Sequence, residues 1–129
     1  MSPDYYNTLL QALSLLNVAA AGAQDHKEHP DGVRNRANTM QEVAQLFQNA
    51  NPNEFKPETW QRFRQLAARL GDTAQQLAEE CQDPTAVMQL TGGNLKQIIL
   101  QLKEVASEET ERPHGASFLE SIKERFRRK

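Results

Sequence analysis

A single apolar stripe runs through residues 57–81 and constrains what this chain folds into. Its members are separated alternately by three and four positions, which at about 3.6 residues per turn places them on one side of a helix. They are Trp60, Phe63, Ala67, Leu70, Ala74, Leu77 and Cys81. Because the stripe keeps its phase across Gly71, we predict one continuous helix that needs partner helices to cover it. A kink at Gly71 is the alternative.

Other segments repeat this spacing and predict partner helices. We expect helices at about residues 3–22 and 32–50, a short segment over 84–90, and a strongly apolar helix that starts near residue 94. Side chains suited to capping helix N-termini precede these helices, namely Ser2, Asp31, Asp83 and Asn94. Gly22 is the expected end of the first helix.

The predicted fold is all-α. It is an antiparallel bundle of four main helices with a short extra segment and a short C-terminal basic helix. A chain of 129 residues is about one domain. We place the bundle at residues 1–112 and the amphipathic basic helix at 113–129, docked on the bundle or partly mobile. Burial of Trp60 in the core predicts that Trp60→Ala costs about 3–5 kcal/mol.

The N-terminal apolar run could be misread as a targeting segment. Leu9–Val18 precedes a series of small residues, as in a secretory signal, but no positive charge precedes it and polar residues interrupt it. No run of about 18 apolar residues predicts a membrane-spanning helix. The single cysteine, Cys81, cannot form an intramolecular disulfide and continues the apolar stripe. We therefore expect a cytoplasmic protein with a buried thiol.

Two acidic and histidine-rich groups are the only candidate metal ligands, and neither shows a convincing pattern. The first group is Asp25, His26, Glu28, His29 and Asp31. The second group is Glu79, Glu80 and Asp83 with Glu104, Glu108 and Glu111. The first falls in a polar connection and most of the second opposes the apolar stripes, so both are interpreted as solvated surface. No nucleophile, phosphate-loop or dinucleotide motif occurs. The sequence predicts a protein that is not an enzyme and has no cofactor, metal site or small-molecule substrate.

The C-terminal segment is the candidate partner-binding site. Residues 117–129 hold five basic and two acidic side chains, although the whole chain has a formal net charge of −2. The predicted binding residues are Phe118, Ile122, Lys123, Arg125, Phe126, Arg127, Arg128 and Lys129. Together they form an amphipathic basic helix suited to an acidic partner or an anionic surface. A packed terminal helix whose basic end complements its own dipole explains the same pattern.

The leading functional hypothesis is a protein–protein interaction module of adaptor, chaperone-like or regulatory type. Its partner is another protein, with a homodimer as a second possibility because the first and last main helices carry broad apolar faces. The alternative is binding of nucleic acid or an anionic membrane through the basic helix, which would be salt-sensitive.

Overall fold

The structure is a computed structural model that describes residues 1–26 and 28–110. Over these residues the chain forms α1 (Pro3–Asp25), α2 (Pro30–Gln48), α3 (Pro57–Glu79), α4 (Pro84–Gln89) and α5 (Lys96–Thr110). A 3-10 turn at Pro52–Glu54 precedes α3, and a π-helical turn at Leu90–Leu95 joins α4 to α5. No strand occurs in the described ranges. The all-α bundle with four main helices and a short extra segment is confirmed.

The four main helices surround one apolar core. α1 packs on α2, α2 on α3, α3 on α5, and α5 on α1. The predicted stripe of α3 is buried from Phe63 to Leu77, and the helix runs through Gly71 without interruption. Cys81 lies just beyond the end of α3 and is also buried. The prediction of a continuous third helix and a buried thiol is therefore confirmed.

The first two helices differ from expectation at the turn that joins them. Gly22 does not end α1, which continues to Asp25. Gly22 is buried instead, because the Arg36 side chain of α2 crosses the space that a Cβ would occupy. α2 begins at Pro30, so Asp31 lies in its first turn and pairs with Arg34 at 3.9 Å rather than capping the helix. At the start of α1, the predicted cap is confirmed: Ser2 Oγ accepts from the Tyr5 N–H at 3.2 Å.

The chain from α4 to α5 also corrects the sequence interpretation. The prediction that residues 91–94 end one helix and that Asn94 caps the next is wrong, because the π turn carries the helical path through them. None of the glycines has a positive φ in the described residues. The N-cap of the continuous segment from α4 to α5 is Asp83. Its Oδ1 accepts from the N–H groups of Thr85 and Ala86. Just before the glycines, Thr91 Oγ1 donates to the carbonyl of Val87, four residues earlier, at 2.7 Å.

An aromatic cluster fills the end of the bundle where α1 and α3 begin. Phe55 sits at its centre, with ring centroids 4.5 Å from Phe63, 5.2 Å from Trp60 and 5.6 Å from Tyr5. Phe55 is buried, whereas Trp60 is only half-buried. Trp60 therefore covers the core from its rim rather than filling it, and the predicted loss for Trp60→Ala must be revised downward.

A buried carboxylate ties α5 to the same end. Glu109 Oε2 accepts from the backbone N–H of Lys56 at 2.9 Å, and Glu109 Oε1 lies 3.6 Å from the Met1 amine. Lys56 is the residue that precedes the first turn of α3. The Glu109 carboxylate thus accepts a hydrogen bond from an N–H group at the start of α3 that has no acceptor within that helix.

Candidate functional site

The candidate site is a groove between α1 and α5, called here the α1–α5 groove. It has a volume of about 350 Å³ and is open to solvent. Its lining comes from α1, the π turn and α5, and consists of Asn17, Ala20, Ala21, Gln24, Thr91, Gly92, Lys96, Ile99, Leu100 and Lys103. The two helices run antiparallel, because Gln24 of α1 contacts Thr91 while Met1 contacts Glu109.

A short hydrogen-bond chain closes one end of the groove. Gln24 Nε2 donates to Thr91 Oγ1 at 3.0 Å, and Thr91 Oγ1 donates to the Val87 carbonyl. This chain fixes the end of α1 against the π turn. Such turns are frequently found at functional sites.

Next to these hydrogen bonds lie two glycines with few other atoms around them. A Cβ added at Gly92 would meet only Gln24 Nε2, at 3.8 Å, and one added at Gly93 would meet nothing within 4 Å. Glycine within a helix costs about 1 kcal/mol relative to alanine, yet neither packing nor backbone conformation requires it here. Gly92, which lines the groove, therefore leaves backbone that another chain can approach closely.

Both helices that border the groove carry an exposed large apolar side chain. Leu100 of α5 is 46% exposed and Leu10 of α1 is 39% exposed. Leu10 lies seven and eleven positions before Asn17 and Ala21, which places it on the same side of α1 as these groove residues. Leu10 therefore does not belong to the buried side of α1. The apolar surface extends along α1 beyond the groove itself.

Acidic and basic side chains lie on different sides of α5. On the side facing α3, Glu104 and Glu108 both pair with Arg62. On the groove side, Lys96 and Lys103 are exposed and make no ion pair with any described residue. Among the described residues, none that lines the groove carries a carboxylate. The groove therefore presents positive charge beside apolar surface, and its available polar groups are ammonium and amide.

The two candidate metal-ligand groups do not converge. No cluster of three or more potential ligands occurs in the part of the chain that the structure describes. His26 is half-buried, and its Nδ1 is 2.7 Å from the Gly22 carbonyl oxygen, so it belongs to the end of α1. In the acidic group, Glu80 accepts from Gln76 and Asp83 caps α4. Glu111 lies outside the described residues.

The predicted partner-binding residues, Phe118 to Lys129, lie outside the described ranges. Their basic and apolar pattern therefore stays a prediction, as does the domain boundary at residue 112. The described part of the chain contains no helix that combines the length and apolar content needed to cross a membrane.

Sequence reasoning missed the α1–α5 groove. The signal along α5 was the sequence Lys96, Leu100, Lys103, whose spacing of four and three residues places two cations around one apolar side chain. A helical pattern does not tell which neighbouring helix borders that side. Only the packing of α5 against α1 joins these residues to Ala20, Ala21 and Gln24.

Comparison of the chain with protein-family models, curated proteins and solved structures finds no match. The geometry of the groove and its chemistry therefore carry the functional argument.

Proposed function

We propose that this protein is a non-enzymatic interaction module that binds an amphipathic helix of another protein in the α1–α5 groove. The observation that carries the proposal is the exposed apolar side chain of Leu100, set between two lysines above a floor of Ala20 and Ile99. Helices commonly dock by placing their apolar side in a groove of this kind. Contiguous exposed apolar surface is a recognised mark of such contacts.

Adaptor, chaperone-like and regulatory roles are all compatible with helix binding. The open shape suits a helix better than a small ligand, because small-molecule pockets enclose most of the ligand surface. Self-association through the groove is disfavoured by charge. A two-fold axis that pairs α5 with its copy around Leu100 would bring Lys96 close to Lys103 of the second copy. Light scattering at micromolar concentration separates the two cases, and a stable dimer would favour the homodimer.

The test is selection of helical peptides from a displayed library against the full chain, followed by measurement of affinity for groove variants. Leu100→Gln should weaken the selected peptides roughly tenfold, because it removes the exposed apolar anchor. The matched control is Leu46→Gln on α2, where the leucine is 63% exposed and does not line the groove. Peptides that bind both variants with unchanged affinity would contradict the proposal, as would a library that yields no binder.

The second candidate function is binding of nucleic acid or anionic membrane through residues 113–129. The cluster of five basic residues in the sequence supports it. Deletion of 113–129 should remove binding to a single-stranded oligonucleotide or to phosphatidylserine vesicles, and added salt should weaken that binding in the full chain. Absence of binding at low salt would end this alternative.

A further inference from the structure

We infer that the helix recognised by the α1–α5 groove is acidic, with two carboxylates seven residues apart around a central apolar residue. This inference rests on the proposed function and adds the chemistry of the partner. It comes from the placement of Lys96 and Lys103 on either side of Leu100.

The spacing follows from helix geometry. Lys96 and Lys103 are separated by seven positions, which is about 10 Å along a helix that rises about 1.5 Å per residue. A partner helix lying along α5 meets both ammonium groups when its own carboxylates are also two turns apart. The apolar residue that contacts Leu100 then lies three or four positions from each carboxylate. The partner motif is therefore acidic at i and i+7 and apolar at i+3 or i+4.

The charge pattern of the bundle supports this choice. Arg62 pairs with the glutamates on the opposite side of α5, so the bundle satisfies one set of charges internally and leaves the groove lysines to solvent. Complementary charge around an apolar contact fixes the register of a partner and raises the association rate. An acidic helix is therefore favoured over a neutral or basic one.

Small residues determine how closely the partner approaches. Ala20, Ala21 and Gly92 line the groove near the end closed by Gln24. They allow a helix backbone to come near, whereas Lys96 and Lys103 reach from the α5 wall. A phosphate polymer fits this surface poorly, because two cations beside alanine and leucine side chains give few phosphate contacts. The observations therefore favour a protein helix over nucleic acid or a membrane.

The experiment repeats the helical-library selection with the wild type and with the double variant Lys96→Glu, Lys103→Glu. The wild type should enrich acidic residues at i and i+7, and the double variant should enrich Lys or Arg there. A wild-type-selected peptide should lose affinity roughly tenfold or more for the double variant. The control is Arg64→Glu, Arg69→Glu on α3, which makes the same charge change outside the groove and should alter affinity less than about threefold.

Hydrogen exchange of the peptide-bound full chain locates the binding surface, and circular dichroism confirms that each variant is folded. The double variant Lys96→Gln, Lys103→Gln is the milder form if charge reversal disturbs folding. Peptides that protect the α1–α5 groove without acidic enrichment overturn this inference and leave helix binding intact. Peptides that protect another surface, or no peptides at all, overturn both. Binding of an oligonucleotide or phosphatidylserine vesicles through the two lysines, without acidic peptides, also overturns it.

Discussion

At the scale of single residues, Gly32 in the first turn of α2 packs closely against His26 at the end of α1. An added Cβ would lie 2.8 Å from the Cβ of His26, and closer still to the imidazole ring. His26 is held in place because its Nδ1 lies 2.7 Å from the Gly22 carbonyl oxygen. Gly32→Ala should therefore lower the free energy of unfolding by about 1–3 kcal/mol, measured by urea denaturation.

Gly71→Ala is the matched control for Gly32→Ala. Its added Cβ would meet Gln48 and Ala44 at ordinary contact distances of 3.6 and 3.7 Å, in the middle of α3. Alanine has the higher helix propensity, so this change should stabilise the protein by about 0.5–1 kcal/mol. Equal effects of the two substitutions would contradict the packing assigned to His26.

Trp60 gives a second prediction at this scale. Its ring lies against Phe55 and Phe63, yet the side chain remains half-buried. Trp60→Ala should cost about 2 kcal/mol, below the 3–5 kcal/mol typical of fully buried aromatic residues. Phe63→Ala, which truncates a buried ring, should cost more. If denaturant unfolding shows a larger loss of free energy of unfolding for Trp60→Ala than for Phe63→Ala, then Trp60 contributes more than Phe63 to the stability of the cluster.

Tyr5 makes stability depend on pH in the alkaline range. Burial raises the pKa of its hydroxyl to about 12, and the negative charge of Glu54 adds to this effect. In the unfolded chain the pKa is about 10, so the folded state binds more protons between these values. The stabilisation is present below pH 10 and is lost as the pH rises towards 12.

The measurement for Tyr5 is the free energy of unfolding across this pH range for the wild type and for Tyr5→Phe. Above pH 10, the free energy of unfolding should fall more for the wild type than for Tyr5→Phe. Glu54→Gln should lower the pKa of Tyr5 in part, because it removes only the smaller cause. A difference between wild type and Tyr5→Phe that stays constant with pH would disprove the assignment.

At the scale of helices, the α4–π–α5 segment has the cap predicted at Asp83 but not the one predicted at Asn94. Asp83 accepts two N–H groups, whereas Asn94 lies inside the π turn and has no capping role. Asp83→Ala should therefore cost about 1 kcal/mol. Asn94→Ala should be neutral or slightly stabilising, because alanine favours a helical backbone. Thermal unfolding of both variants checks this, and the reverse order would restore Asn94 as a cap.

The helices that could be predicted are those with one uninterrupted apolar period. α3 shows this most clearly, because the stripe from Phe63 to Leu77 keeps its phase across Gly71 and outweighs the local signal of a glycine. Gly92 and Gly93 also suggest the end of a helix, but here the apolar residues before and after them do not lie on one helical stripe. The π turn accommodates that change of phase, with the Thr91 side chain bonded to Val87, and sequence pattern alone does not distinguish it from a break.

At the scale of the whole molecule, the same limit explains the α1–α5 groove. Sequence predicted which side of each helix is buried, since that depends on periodicity within one segment. It did not predict that α1 and α5 are neighbours, so Leu100 and Ala21 could not be assigned to one surface. Pairs such as Gln24 with Thr91 form only when the bundle closes, and they determine where the groove ends.

Glu109 tests how far the bundle behaves as one cooperative unit. Its buried carboxylate joins α5 to the Lys56 N–H at the start of α3 and to the Met1 amine, beside the aromatic cluster. Glu109→Ala leaves buried donors without this acceptor and should lower the free energy of unfolding by about 3 kcal/mol or more. Glu109→Gln retains an acceptor oxygen for Lys56 and should lose less.

The control for Glu109→Ala is Glu104→Ala on the same helix, α5. It removes an exposed carboxylate that lies 3.7 Å from Arg62 of α3. An exposed pair of this kind contributes less than about 1 kcal/mol. If α1, α3 and α5 unfold together, circular dichroism and Trp60 fluorescence should give the same denaturant midpoint for Glu109→Ala, shifted equally from the wild type. A fluorescence midpoint that falls while the helical signal stays unchanged would mean that the aromatic end opens separately. The carboxylate would then stabilise one end of the bundle rather than the whole fold.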